Sequence, residues 1–455
     1  MSRVWAVAMN TIAQGLRMKL AVIVVLLLVI LLPLMGVVMI GDGTLKGKLQ
    51  TFVSYGLSLT SLLLCLLTIA VSTHTLTSDI KRRQIYLVIT KPVRRFEIVC
   101  GKLLGVVLLI TFLLGIFTLI IYSLTVSIPR IAKADAAQLE QVNEEFFTSR
   151  ETLTDPVDEV RIKEQAIEEY RRLKENRQLP DGLSSKRVLF ELEAKYRGIA
   201  TNVQVGASRR WVFENIKGLD PDETIFIQYK FGVAVPRPDD KVYAVWDIGD
   251  DRQLKLDPSE RKTDIMRAQK IDAIRVVQEF QVPAKVVAED GYVSVVFHNP
   301  VQNQTTVIPQ DVKVLYRSGT FTANFIRSVL LILARIIFLA ALGVSISTWL
   351  SFPVAILICV VVFFAGTVNG FIVDSLDGLS MVAAIFYSVT IKPILWFLPQ
   401  FDGEFSPAPY IIAGESIGWL FLVRIFAVTV LLKAALLTLF GIFIFHKKEI
   451  ARITV

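Results

Sequence analysis

The sequence predicts a polytopic all-α membrane domain of six transmembrane helices, plus an extracytoplasmic insert with a helical stalk and an antiparallel β-sandwich. Two observations lead to this fold class. Long runs without Asp, Glu, Lys or Arg lie on both sides of a charged central region. Inside that region the apolar residues first recur at helical spacing and then alternate, which is the period of a strand.

Each membrane helix is predicted from an apolar run, because about 20 apolar residues are needed to cross a hydrocarbon core about 30 Å thick. Leu20 to Gly41, Leu49 to Ser78 and Leu103 to Pro129 contain no Asp, Glu, Lys or Arg. We expect helices at about 20–41, 54–76, 103–127, 324–346, 352–373 and 421–445. The first predicted domain, 1–129, contains an interfacial helix and membrane helices 1 to 3. It is followed by the stalk at 130–200, the sandwich at 201–320 and membrane helices 4 to 6 at 321–455.

The distribution of basic residues predicts the orientation of the chain. Lys and Arg in short segments beside spanning helices tend to stay in the cytoplasm. They are concentrated at both ends of the chain and in the loop 77–102, whereas the opposite side offers Lys46, Lys48 and Lys392. We therefore expect a multi-pass plasma-membrane protein with both termini in the cytoplasm and residues of about 130–320 outside.

The net charge of +8 and the isoelectric point near 9.2 are also typical of nucleic-acid binders. However, residues 130–317 carry slightly more acidic than basic side chains, so the positive excess belongs to the apolar parts of the chain. That placement indicates membrane topology. We expect membrane lipid as a neighbour and no nucleic acid as a partner.

The first part of the insert is predicted to be helical. Between 131 and 199, apolar residues are separated by three residues or by seven, which is the spacing of one helix face. They are Val160, Ile167, Tyr170 and Leu173, and a similar pattern follows a break at 180–182. This spacing predicts a helical stalk or hairpin.

The second part of the insert, from 203 to 315, alternates in short segments separated by turn residues. About seven or eight such strands predict an antiparallel sandwich, immunoglobulin-like or jelly-roll. Trp211, Trp246 and Tyr292 lie in this region and line either its core or a sugar-binding face. Aromatic residues in alternating strands favour the core.

The sequence has no motif typical of a catalytic or metal site. Its three cysteines and three histidines lack the spacing of metal ligands. The stretch from Gly41 superficially resembles a phosphate-binding loop, but Leu49 stands where Ser or Thr would bind magnesium. We therefore do not expect the chain to be an enzyme or to bind a cofactor of its own.

The basic loop between helices 2 and 3 has an internal order. The amphipathic stretch 79–88 is followed by a break at Lys91 and Pro92, and a second segment starts at Arg94 before the chain enters helix 3. A basic loop can be only a cytoplasmic retention signal, whereas an ordered hairpin favours a docking element for a cytoplasmic partner.

At these residues the sequence resembles the permease subunits of ABC transporters of the ABC-2 type. Asp79-Ile80 stands where the family has an acidic residue and Ile, the run from Lys91 to Arg95 matches a second element, and Gly101-Lys102 matches the start of helix 3. The segments VWAVAMNTIAQGLRMKL, ALGVSISTWLSFPVAIL and FIFHKKEIA are also similar to the family. The resemblance covers the membrane part and not the insert. A run of basic residues at 81–83 replaces the family's acidic-Gly-Gly pattern, which suggests an acidic groove on the partner.

The resemblance implies a permease subunit, acting in export, whose partner is a separate ATPase subunit that binds ATP and magnesium. It also implies a homodimer or heterodimer of permeases in the bacterial inner membrane. The implied coupling contacts are Asp79, Lys81, Arg82, Arg83, Tyr86, Lys91, Pro92, Arg94 and Arg95. The alternative is a membrane-anchored extracytoplasmic binding or scaffold protein without transport.

Two basic residues inside predicted spans form a second candidate site, namely Arg335 and Lys433. A charged side chain deep in a bilayer costs about 2.5–3.5 kcal/mol on insertion scales. It therefore faces a pore, a partner or water, unless a long stem lets it snorkel to the headgroups. For Arg335 both interpretations stay open, and for Lys433 a polar partner is favoured.

Overall fold

The structure is a computed structural model that describes residues 3–41, 43–81, 94–132, 135–155, 158–176, 185–216, 223–235, 239–255, 263–376, 390 and 392–447. The chain divides into two compact units. We call Met1–Ser149 with Gly319–Val455 the helical unit and Arg150–Ser318 the β-rich unit.

The principal helices and strands follow one another in a simple order. They are α1 Arg3–Leu16, α2 Lys19–Val38, α3 Leu45–Lys81, α4 Arg95–Ile131, α5 Ala136–Glu145, β1 Thr148–Thr154, α6 Glu159–Glu175, α7 Ser185–Thr201, β2 Ser208–Phe213, β3 Thr224–Val233, β4 Lys241–Gly249, β5 Met266–Ala273, β6 Val277–Pro283, β7 Val293–His298, β8 Val307–Thr320, α8 Phe321–Ile346, α9 Phe352–Leu376, α10 Lys392–Phe397, α11 Pro407–Ala413 and α12 Trp419–Lys447.

Six helices in the described part of the chain are long and apolar enough to cross a membrane, namely α2, α3, α4, α8, α9 and α12. The predicted number of spans is confirmed by this criterion of length and composition. The helix α12 is not regular throughout, because Phe426–Ala434 is π-helical.

The helices α3 and α4 are much longer than the spans predicted at 54–76 and 103–127. Each has 37 residues, or about 55 Å of helix, against a hydrocarbon core of about 30 Å. The prediction ended where the apolar run ended, but helix formation continues through polar residues that tertiary contacts pair. The loop predicted at 77–102 is consequently helical up to Lys81 and again from Arg95.

The core of the helical unit is a continuous apolar cluster with large contributions from α3, α4 and α8. The helix α1, predicted to lie at the interface, also packs closely on α4. A Cβ atom at Gly101 would lie 2.7 Å from Val7 Cβ, and one at Gly105 would lie 2.6 Å from the Ala8 carbonyl oxygen. Glycine at both positions therefore allows the two helices to approach.

The β-rich unit is built on two four-stranded sheets among the described residues. Their strand orders are β1-β8-β3-β6 and β2-β7-β4-β5. The pairings of β3 with β6 and β8, of β4 with β5 and β7, and of β2 with β7 are antiparallel. The antiparallel β structure predicted from the alternating pattern is confirmed.

The core of the β-rich unit combines buried side chains from both sheets. The ring centroids of Trp246 in β4 and Tyr229 in β3 are 4.7 Å apart. Trp211 and Trp246 belong to this core, as the alternating pattern predicted. Tyr292 is buried outside the apolar cluster, and its hydroxyl donates a hydrogen bond to Asp251 Oδ1 at 2.8 Å.

The region predicted as a helical stalk contains both helices and a strand. The helices α6 and α7 pack around Ala166, Val188 and Leu192. Of the four residues whose spacing predicted a helix, Tyr170 and Leu173 pack against this cluster, whereas Val160 and Ile167 are 67% and 42% exposed. The strand β1 was also not predicted, and it forms because its threonine-rich sequence suits a strand and the edge of β8 offers a pairing partner.

Candidate functional site

A buried ion pair joins α3 and α4 at the base of the basic loop. The Lys102 ammonium lies 2.6 Å from the Asp79 carboxylate, and the two side chains are 2% and 14% exposed. Lys102 also donates a hydrogen bond to the Thr75 carbonyl oxygen at 3.0 Å. Loss of either charge would leave the other desolvated without its partner, so the pair holds the two helix ends in a fixed relation.

The amino-terminal helix supports the same pair. Gln14 Nε2 in α1 donates a hydrogen bond to Asp79 Oδ1 at 3.2 Å. The Arg3 guanidinium lies 4.0 Å from the Glu97 carboxylate at the start of α4. Together with the close packing on α4, these contacts fix α1 to the base of the loop.

Arg95 connects the other side of the loop to the last helix. Its Nη1 donates hydrogen bonds to the carbonyl oxygens of Phe445 at 3.0 Å and His446 at 2.7 Å. Carbonyl groups in the last turn of a helix have no intrahelical donor, and a cation there is favoured by the helix dipole. The end of α12 is therefore held at the first residue of α4.

The predicted coupling contacts fall into three groups. Asp79 and Arg95 are engaged within the chain, in bonds that the sequence did not predict. Lys81 and Arg94 are exposed. The remaining five predicted contacts lie outside the described residues, and they are Arg82, Arg83, Tyr86, Lys91 and Pro92.

A cavity of about 940 Å³ lies beside the end of α3. One wall is formed by α3, and the other by the connection between α8 and α9 together with the first residues of α9. The lining residues are His74, Thr77, Ser78, Ile80, Lys81, Trp349, Leu350, Ser351, Phe352 and Pro353. The cavity therefore combines polar side chains on one wall with mainly apolar side chains on the other.

Arg335 lies in the middle of α8 and donates to main-chain groups. Its Nη2 donates hydrogen bonds to the carbonyl oxygens of Phe401 at 2.7 Å and Phe405 at 3.4 Å. Its Nη1 donates to Ser61 Oγ at 3.3 Å, and its guanidinium lies 4.7 Å from the centroid of the Phe401 ring. The guanidinium thus has partners inside the helical unit.

Lys433 lies in the π-helical segment of α12 and is 8% exposed. Its ammonium donates a hydrogen bond to the Leu398 carbonyl oxygen at 3.1 Å and lies 5.5 Å from the centroid of the Trp396 ring. This side chain also has a main-chain partner.

Both cations donate hydrogen bonds to the segment 398–405 between α10 and α11, which is irregular apart from a short 3-10 helix at Gly403–Phe405. In the same segment, the Phe401 N–H donates to the Gly366 carbonyl oxygen at 2.9 Å, and Asp402 Oδ2 accepts from the Gly370 N–H at 2.8 Å. Lipid offers no hydrogen bonds to non-helical backbone, so other protein groups have to provide them. Arg335 and Lys433 provide donors of this kind.

A second pocket, of about 350 Å³, lies on the β-rich unit. Within its lining, Arg267 donates two hydrogen bonds of 2.7 Å to Asp247, and His298 Nε2 lies 2.9 Å from the same carboxylate. The hydrogen bonds from Arg267 lower the pKa of Asp247. Among the described residues, no group of three or more His, Cys, Asp or Glu side chains is arranged to hold a metal ion.

These features define a multi-pass membrane protein with a separate β-rich unit. In its helical unit, a buried ion pair joins two helices at the base of a basic loop. A scan against protein-family models, a search of curated proteins and a search of solved structures found no match.

Lys102 is the functional candidate that sequence reasoning did not select. It was noted only as the basic residue at the start of helix 3, although it directly precedes an uncharged run and Asp79 directly follows another. Those two positions, at the facing ends of consecutive spans, are the signal that could have paired them. The carbonyl partners of Arg335 and Lys433 have no such signal, because every residue carries a carbonyl group.

Proposed function

We propose that the chain is the permease subunit of an ATP-driven transporter of the ABC-2 type, which exports a substrate across the plasma membrane. A separate ATPase subunit binds ATP and magnesium, and two permeases, identical or different, form the membrane pathway. The basic loop between α3 and α4 faces the cytoplasm and receives the motion of the ATPase.

The buried Asp79–Lys102 pair is the observation that carries this proposal. An element that transmits motion has to move as one body, and the pair joins α3 and α4 where they leave the loop. Both helices continue from there into the core of the helical unit. A displacement of the loop is therefore passed to two spanning helices together.

The exposed residues at the loop supply the charge for docking. Lys81 and Arg94 are exposed at the two ends of the loop, and Arg82 and Arg83 follow Lys81 in the sequence. A basic surface of this kind attracts an acidic partner and speeds its association.

The β-rich unit is, in this proposal, an extracytoplasmic β-sandwich. Two antiparallel sheets with one shared apolar core support the sandwich. The concentration of basic residues in the loop and at the chain ends supports the orientation, with residues of about 130–320 outside.

The experiment is a test for a copurifying ATPase. The tagged full-length chain is solubilised from its native host in a mild detergent, and associated proteins are identified by mass spectrometry. We expect a soluble ATPase with a phosphate-binding loop to copurify with the wild type. The double variant Arg82→Glu, Arg83→Glu should reduce its recovery at least about 10-fold, because two attractive charges become repulsive.

The matched control carries the same change of charge elsewhere. Arg171 and Arg172 are exposed on α6 of the β-rich unit, so the double variant Arg171→Glu, Arg172→Glu should retain the ATPase. Absence of an ATPase from the wild type, under conditions that preserve another membrane complex, would refute the proposal.

A membrane-anchored binding protein is the second candidate function. The pocket of about 350 Å³ with Asp247, Arg267 and His298 favours it, because a charged pocket on a separate unit can bind a polar ligand without transport. The copurification experiment separates the two functions, since an anchored binding protein has no need of an ATPase.

A further inference from the structure

The large cavity beside α3 has two walls of different chemistry. On the α3 wall, Ser78 and Lys81 face the same space as His74 and Thr77. On the opposite wall, Trp349, Leu350, Phe352 and Pro353 contribute mainly apolar surface. A ligand that fills this cavity has to be amphiphilic, because it meets hydrogen-bond donors on one side and apolar groups on the other.

The charge of the cavity selects an anionic ligand. Lys81 brings a positive charge, and none of the described lining residues is Asp or Glu. Asp79, the carboxylate on the same turn of α3, is bound to Lys102. The Thr77 hydroxyl donates to the Thr73 carbonyl oxygen at 2.6 Å. The Lys81 ammonium and the Ser78 hydroxyl are therefore the donors that we assign to an anion.

The cavity also lies where spanning helices end. It is formed at the carboxyl end of α3 and at the short connection from α8 to α9. The uncharged run of α3 ends at Ser78, and Trp349 is 46% exposed. Tryptophan and lysine at the ends of spanning helices are typical of the level of the lipid headgroups.

We propose that this cavity binds an anionic phospholipid, with its phosphate at Lys81 and Ser78 and its glycerol and first methylene groups against Trp349 and Phe352. The volume of about 940 Å³ is far more than a free phosphate ion needs and lies within the range of small-molecule sites. Anionic lipids are concentrated in the cytoplasmic leaflet, and a lysine near that surface strengthens their binding. This site does not depend on an ATPase, but its place at the cytoplasmic leaflet rests on the orientation given under the proposed function.

The experiment uses Trp349 as a reporter in the full-length chain. The purified protein is placed in phosphatidylcholine vesicles that contain a minor fraction of brominated phosphatidylglycerol or brominated phosphatidylcholine. Bromine quenches a tryptophan that it contacts. The protein has six tryptophans, so the contribution of Trp349 is the difference between the wild type and Trp349→Phe.

We expect phosphatidylglycerol to quench Trp349 at a lower fraction of lipid than phosphatidylcholine does. Lys81→Gln should weaken this preference about 5-fold, which is the typical contribution of one lysine at an anionic surface. Ser78→Ala should weaken it by a smaller factor. Lys19→Gln is the matched control, because Lys19 is exposed at the start of α2, is not among the lining residues and should leave the preference unchanged.

Three results would overturn the proposal. Equal quenching by the two lipids would show that the headgroup is not recognised, and an unchanged preference in Lys81→Gln would show that Lys81 does not bind it. Relief of the quenching by inorganic phosphate in the buffer would assign the site to a free anion instead of a lipid. No ATPase is present in these vesicles, so the outcome is independent of the copurification experiment.

Discussion

The helical unit and the β-rich unit pair their cationic side chains in different ways. In the helical unit, Arg335 and Lys433 donate to main-chain carbonyl groups of an irregular segment. In the β-rich unit, Arg252 and Arg267 are 45% and 64% exposed and bind carboxylates. The surroundings of a cation therefore decide whether a carbonyl group or a carboxylate stabilises it.

The physical reason is the cost of desolvation. When a cation binds a carbonyl group, only one charge has to be buried. The cation also donates a hydrogen bond to a backbone group that lipid cannot hydrogen-bond. In water both charges of an ion pair stay hydrated, so the pair is easily formed and contributes little to stability.

Each unit also contains a buried cation that pairs with a carboxylate, so the difference between the units does not extend to every cation. They are Lys102 with Asp79 and Arg150 with Glu279, in which both cations are 2% exposed. The Arg150 guanidinium lies 3.4 Å from the centroid of the Phe226 ring as well. A buried pair of this kind is sensitive to the loss of one member, which makes it the strongest test of the comparison.

The largest effect is expected from Asp79→Ala. It should lower the free energy of unfolding by about 3–5 kcal/mol, because the buried Lys102 ammonium loses its counter-charge. The measurement is unfolding of the full-length chain in detergent. The double variant Asp79→Ala, Lys102→Met should recover most of the loss, since no unpaired charge remains. Equal losses in the single and the double variant would contradict this account of the pair.

The next largest effect is expected from removal of an intramembrane donor. Arg335→Met should cost about 1–3 kcal/mol, because the carbonyl groups of Phe401 and Phe405 lose their donor. Lys433→Met should cost less, since one carbonyl group is affected. The measurement is again unfolding in detergent, with Arg424→Met as the control because Arg424 is exposed in the same helix α12. A cost for Arg335→Met no larger than that of the control would contradict the carbonyl role.

We expect acid to destabilise the β-rich unit before the helical unit, and we expect this effect to be smaller than that of Arg335→Met. Arg252 lowers the pKa of Asp250 through hydrogen bonds, as Arg267 does for Asp247. A lowered pKa contributes stability that is present above the usual value of 3.8 and is lost as the pH falls through the folded-state pKa. The bonds from Arg335 and Lys433 to carbonyl groups have no acceptor that titrates in this range.

Hydrogen exchange followed by mass spectrometry, corrected for the intrinsic effect of pH, tests this difference. Between about pH 7 and about pH 3, strands β4, β5 and β7 should lose protection before α8 and α12 do. Simultaneous loss in both units would show that the carboxylates of the β-rich unit do not set its acid stability.

The smallest effect is expected from an exposed pair. Arg267→Ala should cost less than about 1 kcal/mol, and part of that cost should disappear at high salt, because exposed charges are screened. Unfolding at low and high salt measures both quantities. A cost equal to that of Asp79→Ala would remove the distinction between the two units.

The fold was largely predictable because its signals are local. Each spanning helix contains its own apolar run, and the strand from Lys241 to Gly249 shows its alternation within nine residues. The boundaries of α3 and α4 were not predictable in the same way. Their polar ends are helical because Asp79, Lys102 and Arg95 find partners on other helices.

The candidate site was predictable only in part. The basic loop is visible in the sequence, and so are the positions of Arg335 and Lys433 inside apolar runs. The strand Thr148–Thr154 was predicted to be helical because the charged sequence beside it is helical. Its pairing with β8 was not predictable, because the partner residues are more than a hundred positions away.

The six apolar helices, the alternating strands and the concentration of basic charge in one loop follow from the order of residues, because run length, period and charge are properties of neighbouring residues. The tertiary structure alone decided that Asp79 binds Lys102, that Arg335 and Lys433 bind carbonyl groups, and that two helix ends enclose a cavity beside Lys81. A carbonyl acceptor is present at every residue, and a buried charge binds the one that packing brings within reach.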